Sequence, residues 1–253
     1  MQSLREEMYR GWNSHRENME LGGSHPVSDY TWLTWLPWVI KDKKIIYMSV
    51  PKNACTSLKT MMCQLAGKSA PEKMGDVHRM NYLASLGGTV EESVIMLTSS
   101  DWFRFCFVRN TYDRLISAYK SKIAPGTKEN NFQKFKMRIN KMRGCGIDGI
   151  TFRDFVLWVQ AETNRDSHWE IQTKLLKTDL IDYQFIGKVE RLDKDANTLY
   201  SILKVPVIPL QRLNVTSPVS LPKVYIQELA DIVYEIYQSD FKQFGYDRDS
   251  WKG

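Results

Sequence analysis

No run in this 253-residue chain is apolar for long enough to cross a bilayer as a helix. The most apolar segment, YTWLTWLPWVI at 30–40, is interrupted by Pro37 and falls short of the roughly 20 residues a spanning helix needs. It reads as a buried strand or a segment covering the core. The amino-terminal MQSLREEMYRGWNSHRENMEL is polar and charged and contains no signal-peptide core, which points to the cytoplasm. Cysteine is scarce: Cys55, Cys63, Cys106 and Cys145 show neither metal-ligand nor redox spacing. Free thiols in a reducing compartment, and no metal site, are expected. Glycine and proline are not enriched, and neither a low-complexity tract nor an internal repeat is present. Disordered, collagenous and solenoid architectures are thereby excluded. The sequon at Asn214 has meaning only in a secreted chain.

Charge of one sign is not dominant either. Thirty-five basic residues against 29 acidic ones give a net +6, an excess that suits an anionic small ligand. A nucleic-acid binder clusters its basic residues on one element, and here both signs are mixed along the chain. The densest basic run, KFKMRINKMR, places Lys134, Arg138 and Lys141 on one helical face. It reads as a solvated helix face, with a rim attracting an anionic substrate as the sharper alternative.

What is present is an alternation of strand-like and helix-like segments. Strands are expected at 44–50, 104–109 and 183–190, with a short fourth in VPVIPL at 205–210. Helices are expected at 57–66, over TYDRLISAYKSK from Thr111, at 128–142, at 151–161, over RLDKDANTLYSIL at 191–203, and at 221–238. This order argues for an α/β fold of P-loop-like, three-layer type, its central and mostly parallel sheet flanked by helices. The whole of 1–253 is expected to be a single domain, with 1–40 as an extension packing on or near the core.

In such sheets ligands bind beyond the carboxyl ends of the strands, and two segments fall there. The first is VPKNACTSLK, Val50 to Lys59, which leaves a strand and opens a helix. Backbone N–H groups from Asn53, Ala54, Cys55, Thr56 and Ser57, with the helix dipole and the Thr56 and Ser57 hydroxyls, suit a phosphate. Ser57 is also a candidate helix cap, and Lys52 adds a point charge at the entry. The Gly-Lys-Ser/Thr ending of a nucleotide triphosphatase is missing, and with it the usual magnesium ligand, so the phosphate is expected to be handled without metal. Alone the motif is weak, because strand-to-helix turns often carry Lys and Ser for capping and solubility. The second is FVRNTYDRLISAYKSK, with Arg109 at a strand end and Ser117 on the next helix. An arginine leaving a buried run needs an anion: an acidic side chain in a structural salt bridge, or a second phosphate. Two anion sites along one sheet edge fit a nucleotide with phosphates at both its 5′ and 3′ positions.

Together these segments resemble the 5′-phosphosulfate loop and the 3′-phosphate motif of sulfotransferases. The eight-residue step from Arg109 to Ser117 matches that family, and HWEIQTKLLKTDLIDYQFIGKVERLDKDA and YQSDFKQFGYD resemble segments of the Golgi carbohydrate sulfotransferases that modify chondroitin and dermatan. The likeness covers roughly 44–247 in separated motifs. It implies 3′-phosphoadenosine 5′-phosphosulfate as donor, adenosine 3′,5′-bisphosphate as product, no metal, and a hydroxyl acceptor that is a glycan or glycolipid rather than a nucleic acid. It also implies that Lys52 stabilises the leaving oxygen, that residues 53–57 hold the 5′-phosphate, and that Arg109 and Ser117 bind the 3′-phosphate. The family proline after FVR-x is Thr111 here, and the paired cysteines of the His-Trp segment are Leu176 and Asp179. A reducing compartment follows, the Golgi lumen being the alternative if an anchor has been removed.

Four histidines compete for the base. His15 and His25 lie in the polar amino-terminal region. His78, in GDVHRMNYL, ranks first because related glycan enzymes carry a histidine there. His168, beside Trp169, is an acceptor contact or reserve base. Glu190 orients a base, binds sugar hydroxyls or serves only as a cap. Arg212 and Asn214 are late candidates for a nucleotide contact. Competing readings are a P-loop-type kinase, disfavoured by the missing Gly-Lys-Ser/Thr, and an inactive nucleotide-binding module, disfavoured by the intact Lys52, Arg109 and Ser117.

Overall fold

The structure, a computed structural model, describes residues 2–9, 36–69, 86–127, 130–144, 146–163, 165–210 and 220–253. The chain divides into two compact units, one of residues 1–108 and 172–213 and the other of 109–171 and 214–253.

The first unit is built on a four-stranded sheet in the order β1-β2-β3-β4. Strand β1 (Pro37–Ile40) runs antiparallel to β2 (Ile45–Met48), while β3 (Phe103–Val108) is parallel to β2 and β4 (Phe185–Lys188) is parallel to β3. The three expected strands are therefore present, and parallel strands buried on both faces read as continuous apolar runs. The fourth is not VPVIPL, which has no regular structure over 205–210. Pro206 and Pro209 have no N–H for a ladder, and the Ile208 carbonyl accepts instead from the Tyr200 hydroxyl at 2.7 Å. The fourth strand comes from the tail of YTWLTWLPWVI. Pro37 is tolerated because it opens an edge strand.

One face of the sheet carries Tyr47, Phe105, Phe107 and Phe185, whose rings meet in sequence at 5.1, 6.4 and 5.9 Å. Helix α1 (residues 2–9) precedes the sheet and buries Leu4 and Met8. Helix α2 (Cys55–Leu65) covers the aromatic face with Leu58, Met61, Met62 and Leu65. On the other face Arg104 is fully buried, and its guanidinium meets the Ser99 carbonyl at 2.6 Å and the Asp182 carbonyl at 2.8 Å. Ser99 ends helix α3 (Val90–Thr98), an element the apolar periodicity did not reveal. Its signal is Thr89 followed three residues later by Glu92, whose N–H donates to the Thr89 hydroxyl at 3.1 Å.

The second unit is helical among its described residues. Helix α4 (Thr111–Ala118) passes into a π-helical turn, Tyr119–Ile123, where one continuous helix was expected. Then come α5 (Gln133–Arg143), entered through a 3-10 turn at Asn130–Phe132, and α6 (Phe152–Ala161). The first unit resumes with the short α7 (Gln172–Leu176), β4 and α8 (Leu192–Leu203); Ala196, Leu199 and Tyr200 of α8 join α2 over the aromatic face. The expected terminal helix at 221–238 is broken into a 3-10 turn at Leu221–Lys223, α9 (Gln227–Ile236) and α10 (Gln238–Phe244). The break falls at Tyr237, whose backbone leaves helical values and whose hydroxyl donates to the Trp169 carbonyl. Trp169 is the fully buried centre of this unit, ringed by Phe132, Phe135, Phe155 and Trp158.

Candidate functional site

The loop between β2 and α2 belongs to the first unit. It has no glycine, yet Lys52 and Ala54 both take left-handed backbone, with φ of 71° and 54°. Such a conformation costs an L-residue roughly 1–2 kcal/mol, so the surroundings must enforce it. Asn53, fully buried between them, does so. Its amide donates to the Phe107 carbonyl at the end of β3 at 2.8 Å and to the Gln172 side chain of α7 at 2.7 Å. Its N–H turns inward to the Val50 carbonyl at 3.3 Å. The part Asn53 plays is therefore to fix the loop, with the N–H groups from Ala54 onward opening the helix.

Ala54 is the N-cap of α2 and offers no side-chain cap. Ser57, expected as a possible cap, lies inside the first turn. Thr56 and Ser57 are buried, Cys55 and Lys52 half-buried. Left-handed residues at an uncapped helix entry form a concavity of backbone N–H groups, the geometry that receives phosphate oxygens. These residues fit a phosphate carrier. One turn further along, Lys59 is buried with its ammonium 4.8 Å from the centre of the Trp38 ring. Burial lowers its pKa, with the Cys55 thiol opposing that shift.

Arg109 directly follows β3 in the chain and is half-buried, and Ser117 is buried near the end of α4. Asn110 caps α4 by accepting from the Tyr112 N–H at 3.0 Å. The Thr111 hydroxyl is buried and makes no hydrogen bond. Arg114, on the same helix, is the arginine that sequence reasoning passed over. It is fully buried and donates to the carbonyls of Glu170 at 2.6 Å and Ser167 at 2.8 Å. Burial pulls its pKa down, against the opposing pull of Tyr237, Asp240 and Glu170.

The turn that Arg114 holds carries His168. Its Nδ1 lies 2.6 Å from a carboxylate oxygen of Asp166, which also accepts from the His168 N–H at 3.0 Å. Burial would raise the Asp166 pKa, but the hydrogen bond and charge of His168, with help from Lys134, bring it below the ordinary value. An ionised carboxylate only accepts, so Nδ1 is the donor in this pair. The imidazole packs edge-on against Phe132 at 5.3 Å, and Lys122 sits 4.8 Å from the centre of that ring. His78, ranked first as base, lies outside the described residues, as do His15, His25, Arg212, Asn214 and Cys145. Glu190 is exposed in the 3-10 turn after β4, and its neighbour Arg191 pairs with Asp195 at 3.1 Å. Cys55, Cys63 and Cys106 are free thiols. No helix among the described residues is long and apolar enough to cross a membrane.

Comparison with known proteins gives a consistent result. A sequence profile described as "Sulfotransferase family" matches residues 37–247. Human carbohydrate sulfotransferase 8 is 26% identical over 235 residues, covering 81% of this chain and 54% of that protein. Mouse carbohydrate sulfotransferase 11 is 26% identical over 242 residues, 82% of this chain and 66% of its own length. Human carbohydrate sulfotransferase 14 is 29% identical over 173 residues, 64% of this chain and 45% of its own. The chain thus spans about half to two thirds of the length of these curated relatives. No solved structure matches.

Proposed function

Because this chain belongs to the sulfotransferase family, we propose that it moves a sulfuryl group from 3′-phosphoadenosine 5′-phosphosulfate to a hydroxyl of a carbohydrate or related acceptor. The observation that carries this reading is the glycine-free loop at 50–57, held left-handed at Lys52 and Ala54 and opening α2 without a side-chain cap. The relatives' names, all carbohydrate sulfotransferases, support a sugar hydroxyl as acceptor. We read 1–253 as one sulfotransferase domain, since the profile match at 37–247 runs through both compact units.

When bound, the donor supplies an electron-poor sulfuryl group and a phosphate leaving group that gains charge as the bond breaks. Each nearby residue then has a defined task. Lys52 neutralises the charge growing on the leaving oxygen. The N–H groups of Ala54, Cys55, Thr56 and Ser57, with the two hydroxyls, hold the 5′-phosphate, and Asn53 keeps that loop in shape. Arg109 and Ser117 take the 3′-phosphate and so select this donor over ordinary nucleotides. His78 and His168 are the candidates for accepting the acceptor's proton. Of the two compartments raised by the sequence, the likeness to carbohydrate sulfotransferases favours the Golgi lumen, and the free thiols fit a reducing one.

The test is transfer of labelled sulfate from the donor to a panel of glycans, glycolipids and small metabolites in the presence of a chelator. Transfer without metal is expected. Lys52→Ala should lower kcat by roughly 10²–10³-fold or more while far-UV circular dichroism stays that of the wild type. Dependence on magnesium and a nucleoside triphosphate would replace this reading with the kinase one.

A further inference from the structure

We propose that the outer face of α5 binds the surface of an anionic lipid bilayer, with Lys134, Arg138 and Lys141 on the headgroups and Met137 and Met142 entering between them. The inference goes beyond the transfer reading and stands independently of it.

The geometry of the helix supplies the first argument. Successive residues of an α-helix turn by about 100°, so Lys134, Arg138 and Lys141 share one stripe. Met137 and Met142 fall on its two sides and close an arc of about 140°. All five side chains are exposed, Met137 by 61% and Met142 by 43%. The opposite face holds the helix in place. Phe135 and Ile139 belong to the core of this unit, and the Phe135 ring meets Trp169 at 5.1 Å and Trp158 at 5.8 Å. That anchorage fixes the direction in which the stripe faces.

The other charges of α5 are used within the fold. Lys136 is buried, and its ammonium donates to the Thr127 hydroxyl at 2.6 Å. Arg143 pairs with Asp154 at 3.1 Å. The helix contains no acidic residue, so nothing along it offsets the three outward cations, although Lys134 also acts on the Asp166 carboxylate.

The choice of partner follows from the methionines. A basic stripe alone is what a solvated helix face shows, and solvation accounts for lysines. It does not account for apolar side chains on both flanks of the stripe. Among the described residues, α5 is the one element with two exposed large apolar side chains. A basic amphipathic helix with such flanks fits a membrane surface, because a bilayer offers anions at its face and hydrocarbon just beneath. Lysine and arginine stems reach the first, and the unbranched methionine fills irregular gaps in the second. A glycan or nucleic acid presents anions without hydrocarbon, and a thioether is a poor partner for hydroxyls. The centre of a protein interface is depleted of lysine, which supplies two of the three charges here.

Co-sedimentation of the whole chain with vesicles tests the proposal, using phosphatidylcholine alone or mixed in equal parts with phosphatidylserine. The wild type should bind only the mixed vesicles, and less as salt is added. Each cation near such a surface is worth about fivefold in affinity, so Lys134→Gln, Arg138→Gln and Lys141→Gln together should weaken binding about a hundredfold. A control that removes as much charge elsewhere, by Lys→Gln at the exposed Lys41, Lys194 and Lys223, should change it little. Met137→Ser with Met142→Ser should weaken binding roughly three- to tenfold and leave its salt dependence unchanged. Every variant should keep the wild-type far-UV circular dichroism and bind adenosine 3′,5′-bisphosphate as the wild type does. Three results overturn the proposal and leave the transfer reading standing: a wild type that ignores the mixed vesicles, a control as weak as the stripe variant, or a methionine variant that binds fully. Binding of soluble chondroitin sulfate through the three cations, without binding to vesicles, overturns it too and makes the stripe a glycan contact. Failure of the wild type to bind the bisphosphate would overturn the transfer reading alone.

Discussion

Ala54 and Lys52 hold backbone angles that a phosphate loop ordinarily gives to glycine. A sequence reader sees that the glycines are missing, and marks the motif as weak because Lys and Ser are common at such turns. The structure supplies the reason they can be missing: Asn53 is locked to Phe107 and Gln172, and that lock forces its neighbours over. Strain at such a position is stored and is therefore measurable. Ala54→Gly removes the steric penalty while adding chain entropy to the unfolded state, and the two terms differ by under about 1 kcal/mol. Denaturant titration should find this variant equal to or slightly more stable than the wild type. Ala54→Val, which adds a branched side chain at φ 54°, should lose roughly 1–3 kcal/mol. A markedly destabilised glycine variant would mean that the left-handed turn is not strained.

Among the elements, legibility followed the strength of the local signal. The parallel strands announced themselves as short apolar runs, and Arg109 was found because it directly follows one of them. VPVIPL carried the same composition but two prolines, and the ladder went instead to Pro37–Ile40 at the far edge of the sheet. The break at Tyr237 was invisible, because it depends on a hydroxyl reaching the Trp169 carbonyl, a contact 68 residues away in sequence. Arg114 and Asp166 were missed for the same reason. Their partners are carbonyls and a ring set by the turn at 166–170, and no spacing rule encodes that turn. Gly187 in β4 shows how tightly the strands are fitted. A methyl group there would lie 2.4 Å from the Phe107 ring, which is itself wedged against Phe105 and Phe185. Gly187→Ala should therefore cost about 1–3 kcal/mol through overpacking. Thermal unfolding would detect it, and an unchanged midpoint would show that β4 can slide away without loss.

For the whole molecule, the proposed function turns on whether one ligand is recognised through two phosphates. The net charge of +6 attracts any nucleotide, so general affinity for anions distinguishes nothing. In the proposed reading, discrimination comes from Arg109 and Ser117, whose 3′-phosphate contact AMP cannot supply. A hydrogen bond to a charged group is worth roughly 1.5–3 kcal/mol, so loss of the contact should weaken binding about ten- to a hundredfold. By calorimetry the wild type should therefore prefer adenosine 3′,5′-bisphosphate to AMP by about that factor. Arg109→Ala should bring the bisphosphate down to the level of AMP and leave AMP itself little changed. Added salt separates this from bulk charge, because it weakens both ligands together where long-range attraction dominates and preserves their ratio where a specific contact does. If the wild type bound the two nucleotides equally, Arg109 would be left with the structural ion-pair role, and the donor reading would lose its basis for selectivity.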